Sequence, residues 1–583
     1  MPTDTSRPVK TQASAGMRID WDVPIPMEDG VILRCDVFRP LGDEPHPAIM
    51  SQGPYGKWLH FSDGFPPQWD RIYKAYPEVT ANSTNQYQNF EVNDPERFVP
   101  DGYVVIRIDS RGTGRSPGFL DIWSLREAHD LYACIEWAAA QPWCDGKVGL
   151  SGISYLAMNQ WQAAALQPPH LTAMFICEGA SDYYREMTHH GGILSTFSKV
   201  LYGPAILSVQ HGRGKRGHRS RMNGDWVSGP DTLSEEQLGA NRRDWHADCL
   251  ANPLVTDPFW TSRMPDFSKV TVPFLSLANW GGQGLHLRGN IEGYLEAASK
   301  QKWLEIHGRE HWIEYYTDYG IDLQKRFFAH FLKGEKAAWD NQPKVQILVR
   351  HLGDRYVERH EADWPLRRTQ WTKLHLDGND LSLAAQPVAK KSTQTYRGFS
   401  DGVTFLTQPL PQDTEITGPI AATLFVSSST EDADLFLVVR AFSPDFKEFT
   451  FQGHIDPHTP LAQGWLRASH RKLDAKRTLP YRPYHTHDEI QKLTPRTIYE
   501  LDVEVWPTCV VVPKGYRIAL SVRGRDYAYG GEPVPTYQGA FTGVAAFRHD
   551  EPLDRPPAVF DGDVTLHLGG EHDSYVLFPV IPA

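Results

Sequence analysis

The segment Lys147-Val-Gly-Leu-Ser-Gly-Ile-Ser-Tyr-Leu-Ala157 constrains this chain more than any other. Val148 and Leu150 read as a short buried strand, and Ala157 to Ala165 as a helix. Between them Ser154 stands at the apex of a tight turn, in a Gly152-x-Ser154-x-x-Ala157 frame. This is the frame of a nucleophile elbow. A serine on a sharp strand-to-helix turn needs small neighbours, because bulk on either side collides with the adjoining strands. The helix that follows points its positive end at the place where an oxyanion would form. A serine beside glycine is also common in ordinary loops, so the surrounding segments decide.

Upstream, Val104 to Ile108 is an apolar strand that runs into a loop carrying Asp109, Arg111, Gly112, Gly114, Ser116 and Gly118. An amphipathic helix with Ala128, Leu131, Ile135 and Trp137 follows and closes on Gln141-Pro-Trp143. Earlier, Pro47 to Met50 is a strand leading into Gly53-Pro-Tyr-Gly-Lys57. Strands, glycine loops and helices in this alternation predict a mostly parallel sheet with helical crossovers.

The Asp109-x-Arg-Gly-x-Gly-x-Ser-x-Gly118 loop, Gln141-Pro-Trp143, Gly149-x-x-Gly-x-Ser-Tyr155 and the early Pro54-Tyr55 are similar to one family. It is that of cocaine esterase, the α-amino-acid ester hydrolases and the X-prolyl dipeptidyl peptidases, which are α/β-hydrolases. The resemblance covers nearly the whole chain. Met27 to Pro40 resembles the family's opening β-hairpin, and the likeness continues past residue 400.

A length of 583 residues suggests two to four domains. The resemblance and the patterning together imply an α/β-hydrolase domain over 17–181 and 266–335. The His-, Arg-, Gly- and Trp-rich stretch 182–265 breaks the pattern after a strand at Leu171 to Cys177, where a helical cap grows in this fold. The sheet resumes at Val272 to Leu277 and ends with the strand Lys302 to Ile306 and a helix from Tyr319 to Leu332. Beyond residue 340 short alternating segments predict an antiparallel sandwich, and Gly418-Pro-Ile and Gly464-Trp-Leu-Arg-Ala-Ser-His-Arg471 resemble the family's C-terminal jelly roll, over 340–583.

With 22% charged and 40% hydrophobic residues the chain is globular. A net charge of −12 without a basic stripe argues against nucleic acid. No apolar run approaches the ~20 residues that span a bilayer, and the first fifteen residues are polar rather than a signal peptide. Six cysteines without a Cys-x-x-Cys pair read as free thiols of a reducing, cytoplasmic setting. A homodimer is open.

Acyl hydrolysis needs a nucleophile, a base, an acid that orients the base, and oxyanion donors. Ser154 is the nucleophile. Lys302-Trp-Leu-Glu-Ile-His-Gly-Arg-Glu-His-Trp312 offers His307 and His311. Aligned on the family's Gly-Pro-Trp-x-His, the catalytic histidine falls on His311, although His307-Gly-Arg replaces Gly-Pro-Trp. The resemblance also implies an oxyanion hole from the Tyr55 hydroxyl and the Tyr155 N–H. Trp280 and Trp312 stand beside the site loops and are expected to line the acyl pocket. The spacing of the two histidines matches a helical zinc pair, but the segment is strand then loop and lacks a third ligand, so no metal and no cofactor are expected.

The acid departs from the pattern. The family places an aspartate in Gly-Trp-x-Asp, whereas Ala278-Asn-Trp-Gly-Gly-Gln-Gly284 puts Gly282 there. A carboxylate can otherwise reach the histidine from the end of the strand after the nucleophile helix, which makes Glu178 the first candidate, then Asp182 and Glu310. The expectation is a serine hydrolase of a small-molecule ester or amide. Acyl transfer, an X-prolyl-type peptidase and a binding protein that has lost its acid remain alternatives.

Overall fold

The computed structural model describes residues 9–582 except 533, 537, 538, 542 and 545. Its first part is a sheet of eleven strands: β1 (Lys10–Ser14), β2 (Met17–Pro26), β3 (Ile32–Pro40), β4 (His46–Gly53), β5 (Val104–Asp109), β6 (Cys144–Ile153), β7 (Leu171–Cys177), β8 (Phe274–Asn279), β9 (Lys302–His307), β10 (Val345–His351) and β11 (Arg355–Glu361). Their spatial order is β1-β2-β3-β5-β4-β6-β7-β8-β9-β10-β11. The strands β4 to β10 run parallel to one another.

Parallel strands need crossovers, and four helices supply them. They are α1 (Leu125–Ala139), α2 (Tyr155–Ala165), α3 (Leu287–Glu296) and α4 (Asp318–Lys333). The period of two along each strand divides the apolar side chains between two cores. Ile49, Val105, Phe175 and Leu277 pack on one face with Phe327 and Phe328 of α4. Met50, Ile106, Met174 and Ala278 pack on the other with Leu131 and Ile135 of α1, Trp161 of α2 and Ile291 of α3. Ser124 caps α1 by accepting from the Glu127 N–H, and Gly334 ends α4 at a φ of 76°.

Two segments differ from the sequence reading. Between β4 and β5 lie short helices at Phe61–Gly64, Pro66–Ala75, Pro77–Ala81 and Pro95–Phe98, which the reading absorbed into the sheet. Residues 182–265, read as a helical cap, contain only short pieces, of which the longest α-helix is Trp245–Ala251. Glycines with positive φ at 191, 192, 212, 214, 224 and 229 flank the helical run over 197–209 and leave the stretch between it and the helix Glu235–Ala240 irregular.

Past β11 the strands pair antiparallel, apart from one short parallel contact of Ser382 with Leu406. Thr414–Ser428 pairs along one edge with Tyr499–Val512 and along the other with Asp563–Leu568 and Tyr575–Ile581. A second layer joins Asp434–Phe442 to Ala462–Arg467 and Arg517–Arg523. Leu424, Leu435, Leu437, Leu520 and Leu566 share the core between them. This part is not detached from the first: Arg350 of β10 pairs with Val510, and Gly191 lies against the backbone of Trp465. No helix among the described residues is long and apolar enough to cross a membrane.

Candidate active site

Ser154, Glu178 and His311 follow the C-terminal ends of β6, β7 and β9, and Tyr55 follows β4. Carboxyl ends of parallel strands converge on one rim, which is where sites form in such sheets. Ser154 sits between β6 and α2 with φ 56° and ψ −117°. Its N–H donates to the Cys177 carbonyl at 3.0 Å, and its own carbonyl accepts from the N–H groups of Ala157 and Met158. A Cβ on Gly152 would lie 2.5 Å from Leu156 Cβ, which is why the position before the turn is glycine. The helix starts at Tyr155, two residues before the expected Ala157, because the turn is a single residue.

Glu178 is fully buried, with φ 46°, and its N–H donates to Leu277 O at 2.7 Å. Its Oε2 lies 2.6 Å from Nδ1 of His311. Its Oε1 accepts from Asn279 Nδ2 at 3.2 Å and lies 3.1 Å from His307 Nε2. Burial would raise this carboxyl, but the His311 charge, with His307 beside it, holds it well below the ordinary carboxylate range. Burial likewise disfavours the His311 imidazolium. The charge and hydrogen bond of Glu178, with help from Glu91, outweigh burial and raise His311 to about 9.

The other acid candidates are committed elsewhere. Asp182 pairs with Arg185 at 2.5 Å, and Glu310 pairs with Arg71 at 2.8 Å. Trp280 does not line the site, contrary to expectation. Its indole N–H donates to Leu348 O and its ring packs on Trp364 in the core of the α3 face. Trp280 stands two residues past Ala278 and faces the same core, as the strand period of two requires, so neighbourhood in sequence did not mean neighbourhood in the cavity.

Ser154, His311, Tyr55 and Trp312 line one cavity of about 90 Å³ together with Phe65, Phe90 and Glu91. The Tyr55 ring meets Phe90 edge-on at 5.1 Å and Tyr155 at 6.0 Å. Tyr155 turns its own hydroxyl away, onto Glu127 at 2.6 Å, and leaves its backbone N–H at the first position of α2, where the helix offers no acceptor. A larger cavity of about 520 Å³, around Arg525, Tyr527 and Arg555, has no serine among its described lining.

Four contributors were not visible in the sequence. Glu91 Oε1 lies 3.3 Å from His311 Nε2. His286 stacks on His311 with ring centroids 4.9 Å apart. His454 comes from the antiparallel part, where its carbonyl accepts from the His311 N–H at 2.7 Å. Asn279 ties Glu178 to the His311 loop by donating also to Arg309 O. No motif marks the first three, and Asn279 stands in the Ala278 to Gly284 stretch beside Gly282. Burial and the His311 charge keep His286 and His454 neutral, His454 at about 3. Donor atoms of Glu178, His286 and His311 fall within 4.8 Å of one another. The 2.6 Å hydrogen bond and the stacked rings account for that closeness without an ion.

Comparison with known proteins shows what the chain as a whole is similar to. Residues 29–312 match the profile of the X-Pro dipeptidyl-peptidase (S15 family), and residues 337–577 that of the X-Pro dipeptidyl-peptidase C-terminal non-catalytic domain. Cocaine esterase of Rhodococcus sp. (strain MB1 Bresler) is 24% identical, over 96% of this chain and 98% of that protein. The crystal structure of a CocE/NonD family hydrolase from Staphylococcus aureus superposes with a TM-score of 0.84 at 30% identity, over 99% of this chain and 97% of that one. The chain belongs to the CocE/NonD family of hydrolases. An α-amino acid ester hydrolase, at 15% identity and a TM-score of 0.68, shares the fold. In this CocE/NonD hydrolase the C-terminal domain, non-catalytic by its family description, nonetheless brings His454 and Ile455 to the cavity wall.

Proposed function

We propose that this CocE/NonD hydrolase is a serine carboxylester hydrolase that works through an acyl-enzyme. In this reading an α/β-hydrolase domain (17–181 and 266–335) carries the chemistry under a cap (182–265), and a jelly-roll sandwich (340–583) closes the site from the C-terminal side. The observation that carries the proposal is the 2.6 Å contact of Glu178 with Nδ1 of His311, whose ring lines the same cavity as Ser154. It supplies the acid that the sequence lacks at Gly282.

Ser154 Oγ attacks the ester carbonyl while its proton passes to His311 Nε2. Glu178 fixes the tautomer and stabilises the imidazolium. The Tyr55 hydroxyl and the Tyr155 N–H hold the oxyanion. His311 then protonates the leaving alkoxide, and a water molecule repeats the sequence on the acyl-enzyme. The small cavity and its aromatic wall of Phe65, Phe90 and Trp312 favour a compact apolar acyl group.

A fluorophosphonate probe should label Ser154 and no other serine, and Ser154→Ala should lower kcat on p-nitrophenyl esters by on the order of 10⁶. Retention of a tenth of the wild-type turnover in Ser154→Ala would end this assignment. Faster turnover of anilides than of matched esters would redirect it to amide chemistry.

A further inference from the structure

His311 has a carboxylate on each side. Nδ1 meets Glu178 at 2.6 Å and Nε2 meets Glu91 at 3.3 Å. Nε2 is the nitrogen that must be bare to take the Ser154 proton. A carboxylate only accepts hydrogen bonds when ionised. A close contact to Nε2 therefore needs a proton between the two atoms, carried by the imidazolium or by a neutral Glu91. Either way the lone pair that a general base uses is occupied.

The chain holds Glu91 in this place against several costs. Its backbone has φ 64°, unfavourable for a glutamate. It is 2% exposed. Its Oε2 is buried without any partner, which costs free energy that an exposed carboxylate avoids. Its carbonyl accepts from the Ile153 N–H at 3.1 Å, which ties it to the strand that presents Ser154. Ser154, Glu178 and Glu91 thus all have positive φ, and Ser154 and Glu91 line the same cavity as the His311 ring that both carboxylates touch.

Resting on the proposed role of His311 as base, we propose that Glu91 is a positioning residue that shares a proton with His311 Nε2 and keeps the base closed to Ser154 until that proton is lost. At 3.3 Å the contact is longer than the ~2.7–2.9 Å of a tight charged pair, so it can open. Other groups face the same ring. Glu178 and, through it, His307 favour the charged imidazole. His286 stacked at 4.9 Å and His454 edge-on at 5.4 Å are buried and neutral. Trp312 donates to Glu91 Oε1, and the Tyr316 and Cys177 side chains near Glu91 are both held protonated by burial. Burial also raises Glu91 itself, offset in part by His311.

The sign of the pH effect follows. Removing a negative charge beside an imidazolium lowers its pKa, so the base becomes available at lower pH. The test is the rate of fluorophosphonate labelling of Ser154 against pH, which reads the free enzyme without a natural substrate. In wild type the acid limb should lie above about pH 8, because His311 is raised to about 9. In Glu91→Gln it should move down by at least about one pH unit, a roughly tenfold gain in relative rate on that limb. Glu91→Asp, which keeps the charge, should stay nearer wild type. A purely structural role would lower rates at every pH and leave the limb in place, which overturns the proposal. If Glu91→Gln does not fold, a wild-type limb near pH 6.5, the ordinary histidine value, overturns it alone. If wild type is labelled nowhere on Ser154 at any pH, the serine-hydrolase reading itself has failed instead.

Discussion

Gly281 and Gly453 pack backbone against backbone, so that a Cβ added to Gly281 would fall on the Cα of Gly453. The first lies just past the end of β8 and the second in the C-terminal part, and the contact brings in His454. His454 N–H donates to Gly281 O at 3.1 Å, and His454 O accepts from the His311 N–H at 2.7 Å. The loop that carries Gly281 and Gly282 is thus covered by a strap from the sandwich. In the proposed function the acid comes from one strand over, from Glu178, whose carboxylate lies 2.6 Å from His311 Nδ1.

Gly281→Ala should weaken that strap. The new methyl meets backbone, which cannot swing aside, and overpacking of this kind costs about 1–3 kcal/mol. The expected result is a lower thermal midpoint together with reduced kcat, because His454 O no longer fixes the His311 loop. Wild-type stability and turnover in this variant would show that the strap yields freely.

Glu178→Gln keeps the shape of the side chain and removes the charge that orients His311. It should lower kcat by about 10⁴. Asp182 and Glu310 are held by Arg185 and Arg71 and should not rescue it. Measured on a p-nitrophenyl ester, a loss under tenfold would mean that another group orients the imidazole.

The same variant has a stability signature. His311 is raised from 6.5 to about 9, so its contribution is complete below about pH 6.5 and is lost as the pH rises through about 9. Glu178 is depressed from 4.5, so its contribution is present above about 4.5 and is lost as the pH falls through its folded value. The gap in thermal midpoint between wild type and Glu178→Gln should be widest near pH 5–6.5 and shrink toward pH 10. A gap that grows toward pH 10 contradicts the ion pair. Thermal scans at matched ionic strength decide it.

Tyr55→Phe deletes the proposed oxyanion donor and keeps the ring that packs on Phe90 and Tyr155. It should lower kcat by about 10²–10³ with KM little changed, since the bond matters in the transition state. An unchanged kcat would assign Tyr55 to packing alone.

Much of this protein is legible in its sequence because the information is local. The apolar runs Val104 to Ile108 and Leu171 to Cys177 reappear as β5 and β7, since a strand buried on both faces is marked by a few consecutive apolar residues. The frame Gly152-x-Ser154 fixes a turn because glycine is demanded by atoms four residues away in the same segment. Even Glu178 follows from chain order, as the residue just past the end of β7. Trp280 shows the limit: one residue beyond β8 was enough to turn its side chain from the cavity into the opposite core.

Tertiary structure alone decided the rest. Glu91 and His311 are 220 positions apart, and nothing in Tyr87-Gln-Asn-Phe-Glu91 announces that its carboxylate meets an imidazole. His454 reaches the site only because the sandwich docks on Gly281. Sequence determines which segments become strands, helices and turns, through steric and hydrophobic rules acting over a few residues. Which side chains then share a few ångströms of buried space depends on how distant segments pack, and the charge of each buried group is set by those neighbours.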